Sequence, residues 1–311
     1  MAMYLVTGGA GFIGSHIAEA LVKRGESVRV LDNLLTGKME NLAGFLPRLE
    51  FVEGDIRDLD ACRRAVEGVD YVLHQAALPS VPRSVEDPLL TNAINITGTL
   101  NLMLAARDAG VRSFVQASSS SVYGDDPAPR KLEGREGKPL SPYAISKLVD
   151  EKYARVFQDL FGFRAVSLRY FNVFGPRQDP FSQYAAVIPL FITKVLKGER
   201  PTIFGDGEQS RDFTFVENVV EGNILAARSD RGGGEAINLA CGERLTVNAL
   251  LAAVNGVLGT KVEAIYADPR PGDILHSTAD VDKSRRVLGF EPRVTFLDGL
   301  KATVDWYRKR S

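Results

Sequence analysis

The chain has 311 residues, 45% hydrophobic and 25% charged, with a formal net charge of −1. That composition predicts one large globular domain or two coupled ones, and its balance supplies no electrostatic reason for a nucleic-acid or membrane-surface partner. Cys62 and Cys241 stand far apart, His16, His74 and His276 share no ligand spacing, no apolar run reads as a membrane span, and strand signals begin at Met3; the expectation is therefore a cytoplasmic protein without disulfides, metal, membrane anchor or leader.

The first predicted strand, Tyr4-Leu5-Val6, runs straight into Gly8, Gly11 and Gly14, and a helix is predicted over 13–24. Glycines at this spacing let the chain turn sharply, bring a diphosphate against the backbone and seat the helix on its strand. The helix start then offers free N–H groups and the positive end of its dipole to the phosphates. Glycines alone often serve ordinary turns, so context decides. Here a second strand, 27–31, ends in Asp32, at the distance where a carboxylate takes the ribose 2′-hydroxyl of NAD. A 2′-phosphate would meet that carboxylate, so the residues read as an NAD site rather than one for NADP.

Further strands are predicted at 49–53, 71–74, 113–116 and 164–169, with helices between them, notably over 88–109 and 142–161. This alternation predicts an α/β fold, a Rossmann-type doubly wound parallel sheet. The strand ends near Asp32, Asp55, Ala76, Ser118 and Tyr170 would rim one crevice. The hydrophilic stretch 125–137 reads as a mobile surface excursion. Beyond 169 the rhythm gives way to Pro-, Gly- and aromatic-rich sequence around a helix at 184–197, and a strand follows at 235–239. We expect residues 1–170 to form the NAD-binding domain and 171–311 mainly a smaller α/β substrate domain, with a segment returning to the main sheet. The amphipathic stretch 296–308, carrying Trp306 and Tyr307, is expected to be a final packed helix.

Tyr143 and Lys147 stand four apart after Ser141-Pro142, which places both on one face of the predicted helix. Such a pair is usually just an amphipathic surface pair. It gains meaning from the serine cluster Ser118 to Ser121, which follows the strand ending at Gln116 at the same crevice edge. Taking a proton from an alcohol, as hydride leaves its carbon, needs a base that works near neutrality. Lowering a tyrosine from about 10 to about 7 costs about 4 kcal/mol. One positive charge at ~5 Å and an effective dielectric of ~20 returns roughly 3 kcal/mol, so a lysine together with the positive nicotinamide suffices. A serine hydroxyl then holds the substrate oxygen without competing as a base.

Taken together, the motifs Gly-Gly-Ala-Gly-Phe-Ile-Gly (8–14), Asp32-Asn33, Gly54-Asp55-Ile56, His74-Gln75-Ala76-Ala77, Asn92, Ser-Ser-Ser-Val-Tyr-Gly (119–124), Tyr143 with Lys147 and Arg169-Tyr170-Phe-Asn172-Val-Phe-Gly-Pro176 resemble those of the extended short-chain dehydrogenase/reductases, specifically the UDP-glucose 4-epimerases and their nucleotide-sugar relatives. The resemblance implies that Gly8, Gly11, Phe12, Ile13 and Gly14 hold the NAD diphosphate, Asp32 and Asn33 the adenosine ribose, and Asp55 and Ile56 the adenine. It implies that Ala76, Ala77, Asn92, Lys147 and Tyr170 line the way to the nicotinamide, with Ser119, Tyr143 and Lys147 catalytic and Ser118 and Ser120 as weaker candidates for the serine. The segments 201–213 and Arg270-Pro-Gly-Asp273 resemble the nucleotide-sugar part of the same family. There Phe204 would stack on uracil, Arg211 and Arg270 would grip the diphosphate, and Asn172, Gln209, Asp273 and Ser277 would complete the substrate site. Without the motif, arginines near Pro-Gly turns more often serve exposed ion pairs.

The same scaffold serves several reactions. Nucleotide-sugar 4,6-dehydratases resemble one another in carrying Asp-Glu just after the serine, and sugar-acid decarboxylases a glutamate before Val-Tyr-Gly; this chain has Ser120-Ser121. The resemblance therefore favours reversible oxidation at C4 of a UDP-sugar, UDP-glucose or UDP-galactose. Small Ser277, at the position beside the C2 substituent, leaves room for N-acetylated forms as well. The alternatives are a dehydratase or one-way oxidoreductase of the family, and a non-catalytic NAD-binding regulator, which commonly lacks the tyrosine–lysine pair. Family resemblance also implies a homodimer through helices within 88–109 and 142–161.

Overall fold

The computed structural model describes residues 1–180, 186–269 and 275–310. Seven strands, β1 (Met3–Thr7), β2 (Ser27–Asp32), β3 (Glu50–Glu53), β4 (Tyr71–His74), β5 (Ser113–Ser119), β6 (Ala165–Tyr170) and β7 (Ala236–Leu239), build one sheet. They lie in the order β3-β2-β1-β4-β5-β6-β7, every neighbouring pair parallel. The order reverses between β1 and β4, which opens a crevice at their C-terminal ends. β7 comes from well beyond residue 170 and pairs with β6 along Ala236–Leu239.

Parallel strands covered on both faces must be apolar on both. Alternate residues accordingly feed two cores. Tyr4 and Val6 of β1, Val115 of β5 and Leu168 of β6 pack with Ile17 and Leu21 of helix α1 (Phe12–Lys23) and Ile224 of Val216–Arg228. Leu5, Leu31 and Phe114 point the other way, onto Cys62 of helix α2 (Leu59–Ala65), Leu102 and Met103 of α3 (Thr99–Asp108) and Phe157 of α4 (Pro142–Phe161). In sequence, α3 continues the helical run from Pro88, wound as a π-helix over Asn92–Gly98. Contrary to the sequence expectation, this run, Pro88–Asp108, is long and apolar enough to cross a membrane by length and composition. Half of it is buried inside the protein, and Leu102, Met103 and Ala106 are sealed in the core.

A third core belongs to the C-terminal part. Helices Val187–Leu196, Val247–Leu258 and Phe296–Arg308 surround Phe174, Phe191, Phe215, Leu250 and Val304, with Phe174 and Phe215 in ring contact at 5.5 Å. Tyr307 is buried in this core and Trp306 packs against it. The expected helix at 184–197 is Val187–Leu196; residues 184 and 185 lie outside the described part.

The stretch 125–137 is not the free excursion that its hydrophilicity suggests. Arg130–Lys131 pairs in parallel with Thr278 and Ala279, and Lys131 is 1% exposed, its Nζ donating to the Asp126 carbonyl. Glu133 accepts from the backbone N–H of Asn238 at 2.7 Å, and Glu136 meets buried Arg169 at 2.6 Å. Glu133 and Glu136 thus find their partners on distant elements, and Lys131 finds its own within the stretch. Asn238, at the centre of this arrangement, accepts from the Tyr123 hydroxyl at 2.6 Å and donates to the carbonyls of Lys131 and Asp280, both at 3.0 Å. Asn238→Ala takes the acceptor from the buried Tyr123 hydroxyl and a donor from the Asp280 carbonyl, while the Lys131 carbonyl keeps the Asp280 N–H at 2.9 Å, so urea denaturation should report a loss of about 2 kcal/mol at unchanged m-value.

Candidate active site

The crevice is built first at the turn after β1. Gly8 takes φ +64°, and a Cβ there would lie 2.7 Å from the Ala76 nitrogen; a Cβ on Gly14 would lie 2.1 Å from the Gly8 carbonyl oxygen. Neither position accepts a side chain without moving backbone. Gly11 precedes α1 with no side-chain cap, and the first turn carries no acidic residue. The first N–H groups of α1 and the positive helix end are therefore left for an anion. At the end of β2, buried Asp32 accepts from Ala10 N at 2.9 Å and Leu34 N at 2.8 Å. Burial raises its carboxyl in spite of these two donors, and its remaining lone pairs can take a hydroxyl. A dinucleotide diphosphate and ribose thus fit the residues present.

The outer rim is polar. Asn33 donates to Asp55 at 2.8 Å, and Arg57 grips the same carboxylate through Nε at 3.0 Å and Nη2 at 2.7 Å. These bonds, Arg57 foremost, hold Asp55 down at about 2. Ile56 differs from its neighbours: its side chain is buried in the core with Leu31 and Leu102. Ala76, half-buried, donates to Thr7 Oγ1 at 3.3 Å behind Gly8; Ala77 follows it, and Asn92 is exposed on the π-helical segment. Phe12 and Ile13 begin α1, half-buried.

Helix α4 enters the crevice from the other side. Ser141 caps it by accepting from Ala144 N at 3.1 Å, and Pro142 holds the first position, where no N–H is missed. Tyr143 is fixed at both backbone groups: its N–H donates to Ser84 Oγ at 3.1 Å, and its carbonyl accepts from Ser146 Oγ at 2.8 Å. Lys147, one turn on, is 2% exposed. Its charge reaches His74, which burial first and Lys147 second push down to about 3, so the imidazole between Thr7 (2.6 Å) and Thr99 (2.9 Å) is neutral. Tyr143 stands close enough to Tyr170 to add to the rise that burial imposes on that phenol. The Tyr170 hydroxyl is held by Gln75 at 3.0 Å and by Asn223, whose Nδ2 donates to it at 2.8 Å.

The serines separate by their partners. Ser118 is buried and donates to Glu151 at 2.6 Å, and Glu151 in turn takes Arg169 through two bonds of 2.8 and 2.7 Å. Ser119 ends β5 opposite Tyr170 of β6, half-buried, and among the described residues its Oγ accepts only from Ser121 N at 3.1 Å. Its proton remains available. Ser120 begins a 3₁₀ turn, Ser120–Tyr123, just beyond the strand.

Farther out, Asn172, Phe204, Gln209 and Arg211 line one cavity of about 300 Å³ with Phe191 and Phe213. Gln209 donates to the Phe204 carbonyl at 2.7 Å, and Arg211 donates to the Ser210 carbonyl at 2.9 Å. Asn172 holds φ +32° at the chain's exit from β6. Ser277 lies opposite Arg211 in a parallel pair and is nearly buried. Arg270 and Asp273 lie outside the described residues. Sequence reading placed His74 and Gln75 in a motif but missed what they hold, the two threonines and the Tyr170 hydroxyl, and it missed Asn223 behind Tyr170 and Asp150 beside Lys147. Of the two residues outside any motif, Asp150, three after the lysine, carried a local signal and Asn223 did not.

A switch-point crevice with a bare helix start, an acidic ribose position and a tyrosine–lysine pair defines a dinucleotide-dependent enzyme of the Rossmann type. Residues 4–240 match the NAD dependent epimerase/dehydratase family, and the chain belongs to this family, among the extended short-chain dehydrogenase/reductases; its cofactor is NAD. It is 39% identical over 311 residues to a UDP-glucose 4-epimerase of Mycolicibacterium smegmatis, covering 99% of each chain. The UDP-N-acetylglucosamine 4-epimerase of Methanobrevibacter ruminantium, solved with UDP-N-acetylmuramic acid, superimposes with TM-score 0.95 at 43% identity, over 100% of this chain and 99% of that one. The UDP-glucose 4-epimerase of Thermus thermophilus, solved with NAD, gives 0.89 at 41% identity, over 99% and 100%. Gly14→Ala, which forces the Gly8 carbonyl aside, should weaken NAD binding at least ~10-fold by calorimetry, since a misplaced turn loses several phosphate contacts worth about 1 kcal/mol each.

Proposed function

We propose that the protein interconverts the C4 epimers of a UDP-sugar, with UDP-glucose and UDP-galactose as the first pair and N-acetylated forms admitted beside Ser277. The observation that carries this reading is Tyr143 and Lys147 one turn apart on α4, Tyr143 close to Tyr170, which is paired across the sheet with Ser119, and serines rather than carboxylates at 120 and 121. Expelling water from the sugar would need a further acid and base at those two positions; exchanging a proton at one hydroxyl does not.

In this reading Tyr143 removes the proton of the C4 hydroxyl, and Lys147 stabilises the phenolate from inside the crevice. Ser119 donates to the same oxygen as it becomes a carbonyl. Bound NAD supplies the oxidising equivalent at C4 and gives it back. Gly8, Gly11, Phe12, Ile13 and Gly14 hold it at its diphosphate, Asp32 and Asn33 at the ribose, and Asp55 beside the adenine. Ile56 serves there through its backbone, its side chain being in the core. Ala76, Ala77, Asn92 and Tyr170 shape the nicotinamide side. The cavity at Phe204, Gln209, Arg211 and Asn172 takes the uridine diphosphate, and Arg270 and Asp273 belong to that end by their motif. The keto sugar turns about its anchored diphosphate, and Tyr143 returns the proton on the other face. Residues 1–170 carry the cofactor and 171–311 mainly the substrate, with β7 lent to the sheet.

A homodimer follows from the outside of α4. Ile145, Val156, Leu160 and Phe161 are exposed there, Leu160 to 71%, and Val85 and Leu89 of the neighbouring short helices are exposed to 63% and 82%. An apolar face of this kind, spread over α4 and the two short helices, is what a second copy would cover.

Incubation of the purified protein with UDP-galactose, and separately with UDP-N-acetylgalactosamine, should yield the C4 epimer on chromatography without added cofactor. A product lighter by one water would replace this reading with a dehydratase. Tyr143→Phe should lower turnover about 10³-fold with NAD still bound. In sedimentation, Leu160→Glu combined with Leu89→Glu should convert a dimer into monomers; a wild type that sediments as a monomer rejects the dimer.

A further inference from the structure

Lys147 has a companion at the base of the crevice. Asp150, three residues further along α4, brings Oδ2 to 3.4 Å from the ammonium, and both side chains are closed to solvent. The other carboxylate oxygen, Oδ1, has no hydrogen-bond partner, and neither does Oε1 of Gln116 on β5. The Gln116 amide is locked the wrong way round to help: its NH₂ donates to the Asp150 carbonyl and to Ser167 Oγ, both at 2.8 Å. A carbonyl only accepts, so that NH₂ cannot change places with Oε1. Two residues in contact, Asp150 and Gln116, thus bury two acceptors without a donor among the described residues, and Asp150 stands beside the one ammonium. Acceptors left in this state are costly, and a proton on Asp150 turns one of them into a donor.

We propose that Asp150 is a positioning residue that takes up and releases a proton beneath Lys147, and so sets how much of the lysine's charge reaches Tyr143. This rests on the reading of Tyr143 and Lys147 as the catalytic pair. The proton comes from solvent and returns to it; no other group changes. With Asp150 ionised, the ammonium is offset and the phenolate loses support. With Asp150 neutral, the ammonium serves the phenol alone.

The surroundings leave this exchange to the aspartate. Glu151, next to it on α4, is committed to Arg169 and Ser118. Glu136, from the 125–137 stretch, faces Arg169 as well. His74, which faces Lys147 from β4, is held neutral. Gln116 and Ser167, the groups that β5 and β6 present here, do not titrate. Burial pushes the Asp150 carboxyl up to about 7 against the pull of Lys147, which puts the exchange in the neutral range.

The test uses the NAD-loaded enzyme with Asp150→Asn, which keeps the shape and removes the charge. Two quantities are followed against pH: kcat with UDP-galactose, and the ultraviolet phenolate signal without substrate, taken as the difference from Tyr143→Phe. Both midpoints should move down by about one pH unit, the size expected for removing one partly screened charge roughly two helical turns away. Midpoints that stay in place or move up overturn the proposal, even if kcat falls, because a merely structural role alters rate or stability and leaves the titration where it was. Should the asparagine variant fail to fold, Asp150→Ser carries the same expectation. An active Tyr143→Phe enzyme would instead sink the catalytic pair itself, and the two failures are thereby told apart.

Discussion

An ammonium buried in the floor of a crevice is the demand around which this molecule is arranged. Lys147 is almost closed to water, and a buried charge is tolerated only when the protein replaces its hydration. The surroundings answer in several ways at once. Asp150 comes within 3.4 Å, and His74 stays uncharged between two threonines so that it adds no repulsion. The cap at Ser141 and the bonds from Ser84 and Ser146 keep the first turns of α4 from shifting under the load. The lysine's position in turn decides where a phenol one turn earlier stands relative to the strand ends.

A second buried charge lies one turn further along α4, beside Glu151. Arg169 is gripped by Glu151 and Glu136 and lies over the ring of Tyr123 at 4.9 Å. Removing either carboxylate would leave a guanidinium short of partners in a dry place. This cluster joins β6, α4 and the 125–137 stretch, and through Ser118 it reaches the residue before the serine at the crevice edge. The two charge systems share neighbouring residues, Asp150 and Glu151, yet each acid serves its own cation.

What was legible in the sequence was what is local. Strand, glycines and helix follow one another within Met3–Thr7 and Phe12–Lys23, and the backbone approach at Gly14 is a matter of a few residues. Tyr143 and Lys147 share a helix face because of their spacing alone. The family motif led to Asn172, Phe204, Gln209 and Arg211, and these do line one cavity. Partners from far away were not legible. The 125–137 stretch looked solvated because Glu133 and Glu136 find their partners at Asn238 and Arg169, and the backbone of Arg130–Lys131 pairs with Thr278 and Ala279. Ile56 sat in a motif, but tertiary packing turned its side chain into the core. Asn223 lies 53 residues from the Tyr170 hydroxyl that it holds. No periodicity announces such a pairing.

The late arrival of β7 bears on how the chain is made. β6 is buried along its whole length, and its outer edge pairs with Ala236–Leu239 and the two residues before them. During synthesis that edge waits for the intervening residues, on the order of ten seconds at ribosomal speed, with unpaired amide and carbonyl groups on display. A fragment ending near residue 170 would keep them on display permanently. The boundary at which the sequence changes character is therefore a poor place to cut: the nascent protein needs its second half to close its first, and a truncated product is a template for strand-to-strand aggregation.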